Sequence, residues 1–208
     1  MHDYVFQHNQ TDLEFLLERA HRIQYEVVVQ DKTLLFRPVG NAKKEIITFK
    51  AGKSGSLAGD LLEFHPRLVS GGQVSEVTVR GWDPKEKREL VGHAKIGDEV
   101  SKMDGQSSGG ALAESRFGPT IETVSSVPVF TQTEADQMAK AQFNSLLLQL
   151  ITGDGLCWGR TDLRAGIVIM LDGLGERFGG QYYVVSVNHR YSPQGGYQTH
   201  FSVRRNSS

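Results

Sequence analysis

The chain has a single cysteine, Cys157, which excludes an intrachain disulfide and a cysteine zinc cluster. Cys157 reads as a small buried hydrophobe rather than a nucleophile. Neither sign of charge is in excess: 23 Lys and Arg face 24 Asp and Glu. Attachment to nucleic acid or to an anionic membrane through overall charge is therefore not indicated. No apolar run approaches membrane-spanning length, and the first residues, MHDYVFQHNQ, lack the apolar segment of a secretory signal. Membrane insertion is not expected; cytosolic synthesis is. The seven histidines show no metal-ligand spacing, and the carboxylates are too scattered to assign a glycosidase pair. No metal, cofactor or catalytic residue is assigned. Regular strand–helix–strand alternation is missing as well, and so is any internal repeat.

Glycine, at 23 of 208 residues, is plentiful and favours a turn-rich β protein with one sizeable core or two small ones. The clearest strands lie in the last fifty residues. Gly166 to Asp172 (GIVIMLD) is apolar and β-branched, as in a strand covered on both faces. Asp172-Gly173-Leu174-Gly175 reads as a turn. Gln181 to Arg190 and Tyr197 to Arg204 form a hairpin around Ser192-Pro193-Gln194-Gly195-Gly196. Placing the apolar members on one face predicts Val187 opposite Val203 and His189 opposite Phe201. In that register His189 packs beside Phe201, and His189 and His200 point to opposite faces. Trp82, Tyr182, Tyr183 and Phe201 also lie in strand patterns, where core packing is the expectation.

Earlier in the chain, Thr11-Asp12-Leu13-Glu14 is a capping box that opens a helix with Leu13, Leu16, Leu17, Ala20 and Ile23 on one face. Glu26 to Val29 and Thr33 to Arg37 predict a hairpin around Asp31-Lys32. Strands follow at Ile46 to Phe49 and near Leu61 to Phe64, separated by the glycine/serine loop Ala51 to Gly59. Val74 to Trp82 and Arg88 to Ile96 predict a strand pair across Asp83 to Lys87. Ser101 to Gly110 reads as a mobile polar loop and Ala111 to Phe117 as a short helix. A second capping box, Thr131 to Glu134, opens a helix through Met138, Ala141, Leu146 and Leu150, ended by Gly153. The fold class this gives is α+β, a mostly antiparallel β-barrel with inserted helices.

Two stretches imitate catalytic motifs. Gly105-Gln106-Ser107-Ser108-Gly109 matches G-x-S-x-G, and Asp172 and His189 follow in the order a hydrolase requires. No buried strand leads into the serine, however, and the motif needs one to expose its hydroxyl at a sharp turn. A small serine hydrolase using Ser107, Asp172 and His189 is thus the alternative reading. A carbohydrate-binding module using exposed aromatics is a third. Gly52-Lys53-Ser54 resembles the end of a phosphate-binding loop, but Ile47 stands where its first glycine is required.

Several segments, in order, carry a family resemblance. They are QTDLEFL from Gln10, IQYEV from Ile23, QVSEVTVRGWDP from Gln73, LRAG from Leu163, LDGLGERF from Leu171, GQYYV from Gly180 and VRRN from Val203. Together they resemble the phage late control D family, related to the hub part of the valine-glycine repeat protein G of type VI secretion. The nearest variety is the hub-and-spike protein of extracellular contractile injection systems. The resemblance implies a phage tail hub-like, non-enzymatic baseplate component, made in the cytoplasm and then built into a tail-like particle. In such hubs, three subunits each give two barrels to a pseudo-six-fold ring between the inner tube and a spike. The implied partners are its own copies as a trimer, the inner tube protein and the spike module. Against that pattern the chain is expected to start after the first barrel and to stop before the spike. Residues 1–72 would be the intermediate α/β segment, and 73–208 the second barrel with a helical insertion at 111–151.

Overall fold

The computed structural model describes residues 5–30, 32–41, 43, 47–52 and 59–208. Thr11 opens the chain's first element as predicted. Its hydroxyl accepts from the Glu14 amide at 3.3 Å, and the Glu14 carboxylate accepts from the Thr11 amide at 2.8 Å. These bonds, first that from the Thr11 backbone, hold the Glu14 carboxyl below its usual range. Helix α1 (Asp12–His21) leads into a hairpin, β1 (Tyr25–Gln30) and β2 (Thr33–Pro38), with Gln30 opposite Thr33. Asp31 of its turn lies outside the described residues. The predicted apolar face of α1 is not a buried one: of its five residues only Ala20 is buried, Leu13 and Ile23 are exposed, and Ile23 lies beyond the helix end.

The remaining elements are β3 (Ile47–Lys50), β4 (Leu61–Leu68), β5 (Glu76–Asp83), β6 (Arg88–Lys95), α2 (Gly109–Phe117), β7 (Ile121–Val124), α3 (Gln132–Leu147), β8 (Ile151–Trp158), β9 (Val168–Asp172), α4 (Gly175–Phe178), β10 (Gly180–Ser192) and β11 (Gly196–Arg205). The architecture is α+β. A six-stranded sheet runs β3-β9-β10-β11-β8-β4, antiparallel except for β3 beside β9. It curls until its outer strands meet at the single bridge Ala51–Leu61. This sheet takes β3 and β4 from before residue 73 and β8 to β11 from after residue 150. Between them lies a three-stranded sheet, β6-β5-β7, covered by α3.

Inside the curl, Phe49, Leu61, Ile151, Cys157, Ile169, Leu171, Tyr182, Val184, Phe201 and Val203 form one core. The strand β8 was not expected, because two of its inward residues are glycines. A Cβ on Gly153 would lie 2.6 Å from the Phe64 ring, and one on Gly155 2.3 Å from the Phe201 ring. Both aromatics rest on bare backbone there, and the Phe201 ring stacks on Phe49 at 5.7 Å. Helix α3 accordingly ends at Leu147, and Gly153 is a strand residue rather than its stop.

The hairpin register also differs from the expected one. Val187 lies opposite Phe201, His189 opposite Thr199, and Val184 opposite Val203, with a bulge between Val184 and Ser186. The extra residue breaks the alternation of β10. Tyr182, Val184 and Val187 therefore share the barrel core, while Tyr183 and Val185 join a separate cluster with Met103, Leu148 and Val168. On the loop side of the bulge the pairs run inward from Ser192 opposite Gly196, two residues away from the expected register, and the bulge shifts the pairs beyond it by one more.

Residues 101–110 do not form the expected loose loop. Met103, Ser108, Gly109 and Gly110 are buried. Ser107 and Ser208 exchange backbone bonds at 3.1 and 3.2 Å, the Gly109 amide donates to Asn206 O at 2.8 Å, and the Asn206 and Ser207 side chains donate to the carbonyls of Ser101 and Lys102. The polar composition is used up in bonds to the strand that continues β11.

Candidate functional site

Ser107, Asp172 and His189 do not converge. Asp172 follows Leu171, which pairs with Gly180 at the start of β10, whereas His189 lies nine residues further along that strand. At about 3.3 Å per residue this separates them by roughly 25–30 Å. Ser107 pairs with Ser208, beyond the end of β11 that lies farthest from Thr199, the partner of His189. His189 is exposed, with Nδ1 at 3.1 Å from Thr199 Oγ1 and 3.0 Å from the Tyr197 hydroxyl. It is therefore not packed beside Phe201 either, because the register that runs from the hairpin loop sets it opposite Thr199. Among the described residues no cluster of His, Cys, Asp or Glu could hold a metal ion. Lys53 and Ser54 of the phosphate-loop look-alike lie outside the described residues.

The segments that carried the resemblance do come together, at two joints. At the first, the Tyr183 hydroxyl donates to Glu26 Oε2, and Arg37 Nε donates to Glu26 Oε1 at 2.8 Å. Gly166, at φ +84°, closes this joint: a Cβ there would meet Arg37 Nη2 at 2.0 Å. Burial, then the neighbouring Glu26 carboxylate, pushes the Tyr183 phenol up, so it stays a donor. At the second, Arg205 is buried and paired with no carboxylate among the described residues. Its Nη1 donates to Gly179 O at 2.6 Å, just past the end of α4, and its guanidinium lies 5.6 Å over the Tyr182 ring. Gly180, at φ +130°, leaves the space: a Cβ would lie 2.8 Å from the guanidinium. The Tyr182 hydroxyl donates to Phe178 O at 2.9 Å. Both joints bind segments to one another, and neither presents a reactive group to solvent.

What the surface offers instead is apolar. Trp82 was expected in the core but is 57% exposed. Val77, Val79 and Gly81 take the inward positions of β5, which puts Trp82 on the outer face with Arg80. That parity was readable in the sequence. Trp82 and the equally exposed Phe130 flank a cleft of about 400 Å³ between β5 and residues 125–130, lined also by Val127 and Pro128. Phe130 was missed because its position rests on α3: Glu134 reaches back past Thr131 and accepts from the Phe130 amide at 3.0 Å. Further exposed apolar groups are Leu13, Val29, Leu34 and Phe36 around the first hairpin, and Trp158 and Tyr191 at the far end of β8 and β10. No helix among the described residues is long and apolar enough to cross a membrane.

Comparison with known proteins returns the same kind of object. The tail protein of Neisseria meningitidis MC58 superposes with a TM-score of 0.66 at 14% identity, over 96% of this chain and 56% of that one. The 43 kDa tail protein of prophage MuSo2 from Shewanella oneidensis gives 0.62 at 9% identity, over 93% and 52%. A chain of the virion of a native gene transfer agent particle gives 0.57 at 15% identity, over 97% and 40%. These likenesses establish a phage tail-type fold. The chain spans about half the length of the first two and less of the third. Among curated proteins none matches. The family described as the Alg8 N-terminal domain matches residues 1–193.

Proposed function

We propose, for a chain that belongs to the Alg8 N-terminal domain family, a structural role in a tail-like particle: a hub component that links the inner tube of a contractile injection system to its spike. The observation that carries this reading is a tail-protein fold matched over 93% or more of the chain in three separate tail or virion proteins. A near-neutral β protein with exposed aromatics on several faces fits a part built for contact with neighbours. In this reading the chain is not an enzyme. Its partners are its own copies, arranged as a trimer, with the tube protein on one side and the spike module on the other. The curled sheet gives the ring-forming surface: residues 73–208, in this reading the second barrel with its helical insertion at 111–151, supply β8 to β11, while β5 and β6 stand outside that sheet in the three-stranded one. Residues 1–72 are the intermediate segment, which also lends β3 and β4 to that barrel. The mechanism is symmetry adaptation, in which near-equivalent barrel surfaces of a trimer meet a hexameric tube.

The test is to locate the chain in purified particles. An epitope-tagged copy should co-sediment with tube and spike proteins, and labelled electron micrographs should place it at the tube–spike junction. Particles that lack the chain, or whose tube and spike stay joined after its deletion, would overturn the reading.

A further inference from the structure

We propose that residues 12–38, the α1–β1–β2 unit, form an arm latched to the barrel by the Glu26 carboxylate, and that this arm opens as a unit while the barrel stays closed.

The first argument is where the arm's apolar groups go. Among the described residues, none before Val39 belongs to any of the core clusters, and Ala20 alone is buried. Among the described residues the hairpin β1–β2 has no third strand. A lone two-stranded hairpin and a ten-residue helix are each marginal in water. Within the hairpin Tyr25 and Phe36 form a tilted pair at 5.3 Å, and Leu16, Leu17 and Val27 are half-buried without joining a core cluster.

The second argument is how the arm is held. Among the described residues its side-chain ties to the rest of the molecule are polar. Glu26 bridges Arg37, within the arm, to the Tyr183 hydroxyl on β10. At the other corner Arg22 donates to Pro128 O and lies 3.9 Å from Glu134. The backbone closes the base of the arm through Val39 N to Gln24 O at 3.0 Å, with Gln24 at φ +59°. Val39 then packs against the cluster of Met103, Leu148, Val168 and Tyr183. The boundary between arm and core thus falls at one residue. Beyond it, directional bonds replace burial, and such contacts break singly without opening a core.

The third argument is the outward side. Val29 is 68% exposed and sits directly opposite Leu34, itself 54% exposed. An opening arm exposes little that was covered before, so opening carries a small hydrophobic cost.

Hydrogen exchange on the full chain, read by mass spectrometry, tests this. In the unaltered protein, amides of residues 12–38 should exchange faster than those of β8, β10 and β11. Tyr183→Phe, which keeps the ring, and Glu26→Gln should each accelerate the arm by about tenfold or more, as expected for losing a bond to a charged group. Protection of β8 to β11 should not change. The double variant should add little to Glu26→Gln alone, because Tyr183→Phe removes a bond that the loss of the Glu26 charge has already weakened. Unchanged arm exchange in both variants would overturn the latch. Equal acceleration of arm and barrel in Glu26→Gln would overturn the independent opening. Should Tyr183→Phe fail to fold, Glu26→Gln decides, since it alters only the arm side of the joint.

Discussion

Cys157 sits at an inward position of β8, fully buried, with its sulfur 3.5 Å from Thr199 O. Burial pushes its thiol up to about 11, against 9.0 for the free group. The folded state therefore keeps the proton where the unfolded chain would lose it. Stability from this source is complete below pH 9 and is lost as pH rises from there through about 11. Urea midpoints at pH 7, 9 and 10.5 should fall across the last interval, and a Cys157→Ala variant should show a shallower fall. Thiol reagents at pH 7 should modify Cys157 only when denaturant is present, since the thiolate is the reactive form. Its burial was readable in the sequence, because a single cysteine with no partner thiol has few roles besides that of a small hydrophobe.

At the scale of elements, legibility followed how local the determinant is. The capping residues Thr11 and Thr131 were readable because each bonds a residue three positions away. Strand β8 was not, since Gly153 and Gly155 occupy inward positions and owe their place to Phe64 and Phe201, distant in sequence. The bulge in β10 was equally hidden: nothing in Val184-Val185-Ser186 announces an extra residue, and every pairing after it moves. The face of β11 was nevertheless read correctly, because a two-residue error preserves parity. Val203→Asp should therefore still be severe, with a loss above about 3 kcal/mol from an unpaired charge at a buried site. Ser202 is a different case. Its hydroxyl donates to Asp154 Oδ1 at 2.7 Å across the β8–β11 pair. Ser202→Asp sets two carboxylates opposite each other and should cost about 1 kcal/mol, most of it recovered by adding Asp154→Asn. Thermal melts of the three variants check the order; equal losses for Val203→Asp and Ser202→Asp would contradict this packing.

For the whole molecule, the α+β class and the tail-like character were legible, because composition and segment order are global properties. The candidate surface was not, since it joins Trp82 to Phe130 and places the first hairpin outside every core. Those exposed groups are spread over different elements, Trp82 and Phe130 beside β5, Val29, Leu34 and Phe36 on the first hairpin, and Trp158 and Tyr191 on β8 and β10, whereas permanent interfaces bury on the order of 2,000 Å² or more. The 208-residue chain alone should therefore be a monomer or a weak, concentration-dependent trimer. Light scattering coupled to size-exclusion chromatography over a wide concentration range checks this. A stable dimer or tetramer would contradict the three-fold hub, and a tight trimer would show that these patches suffice.

The position of β11 in the sheet also governs when the molecule can be finished. It lies between β10 and β8, so it joins the trio β3-β9-β10 to the pair β8-β4. Of the six strands of this sheet it is also the last in sequence, so it leaves the ribosome after the other five, and residues 206 and 207 that follow it bond to carbonyls 105 positions earlier. Until Arg205 has emerged, two half-sheets face each other with unpaired edges and an open apolar floor. Synthesis at about 5–20 residues per second leaves β8 in that state for several seconds. Nascent chains halted before residue 196 has emerged should accordingly be captured by chaperones and cut by proteases, and those in which residues 196–208 have emerged should not.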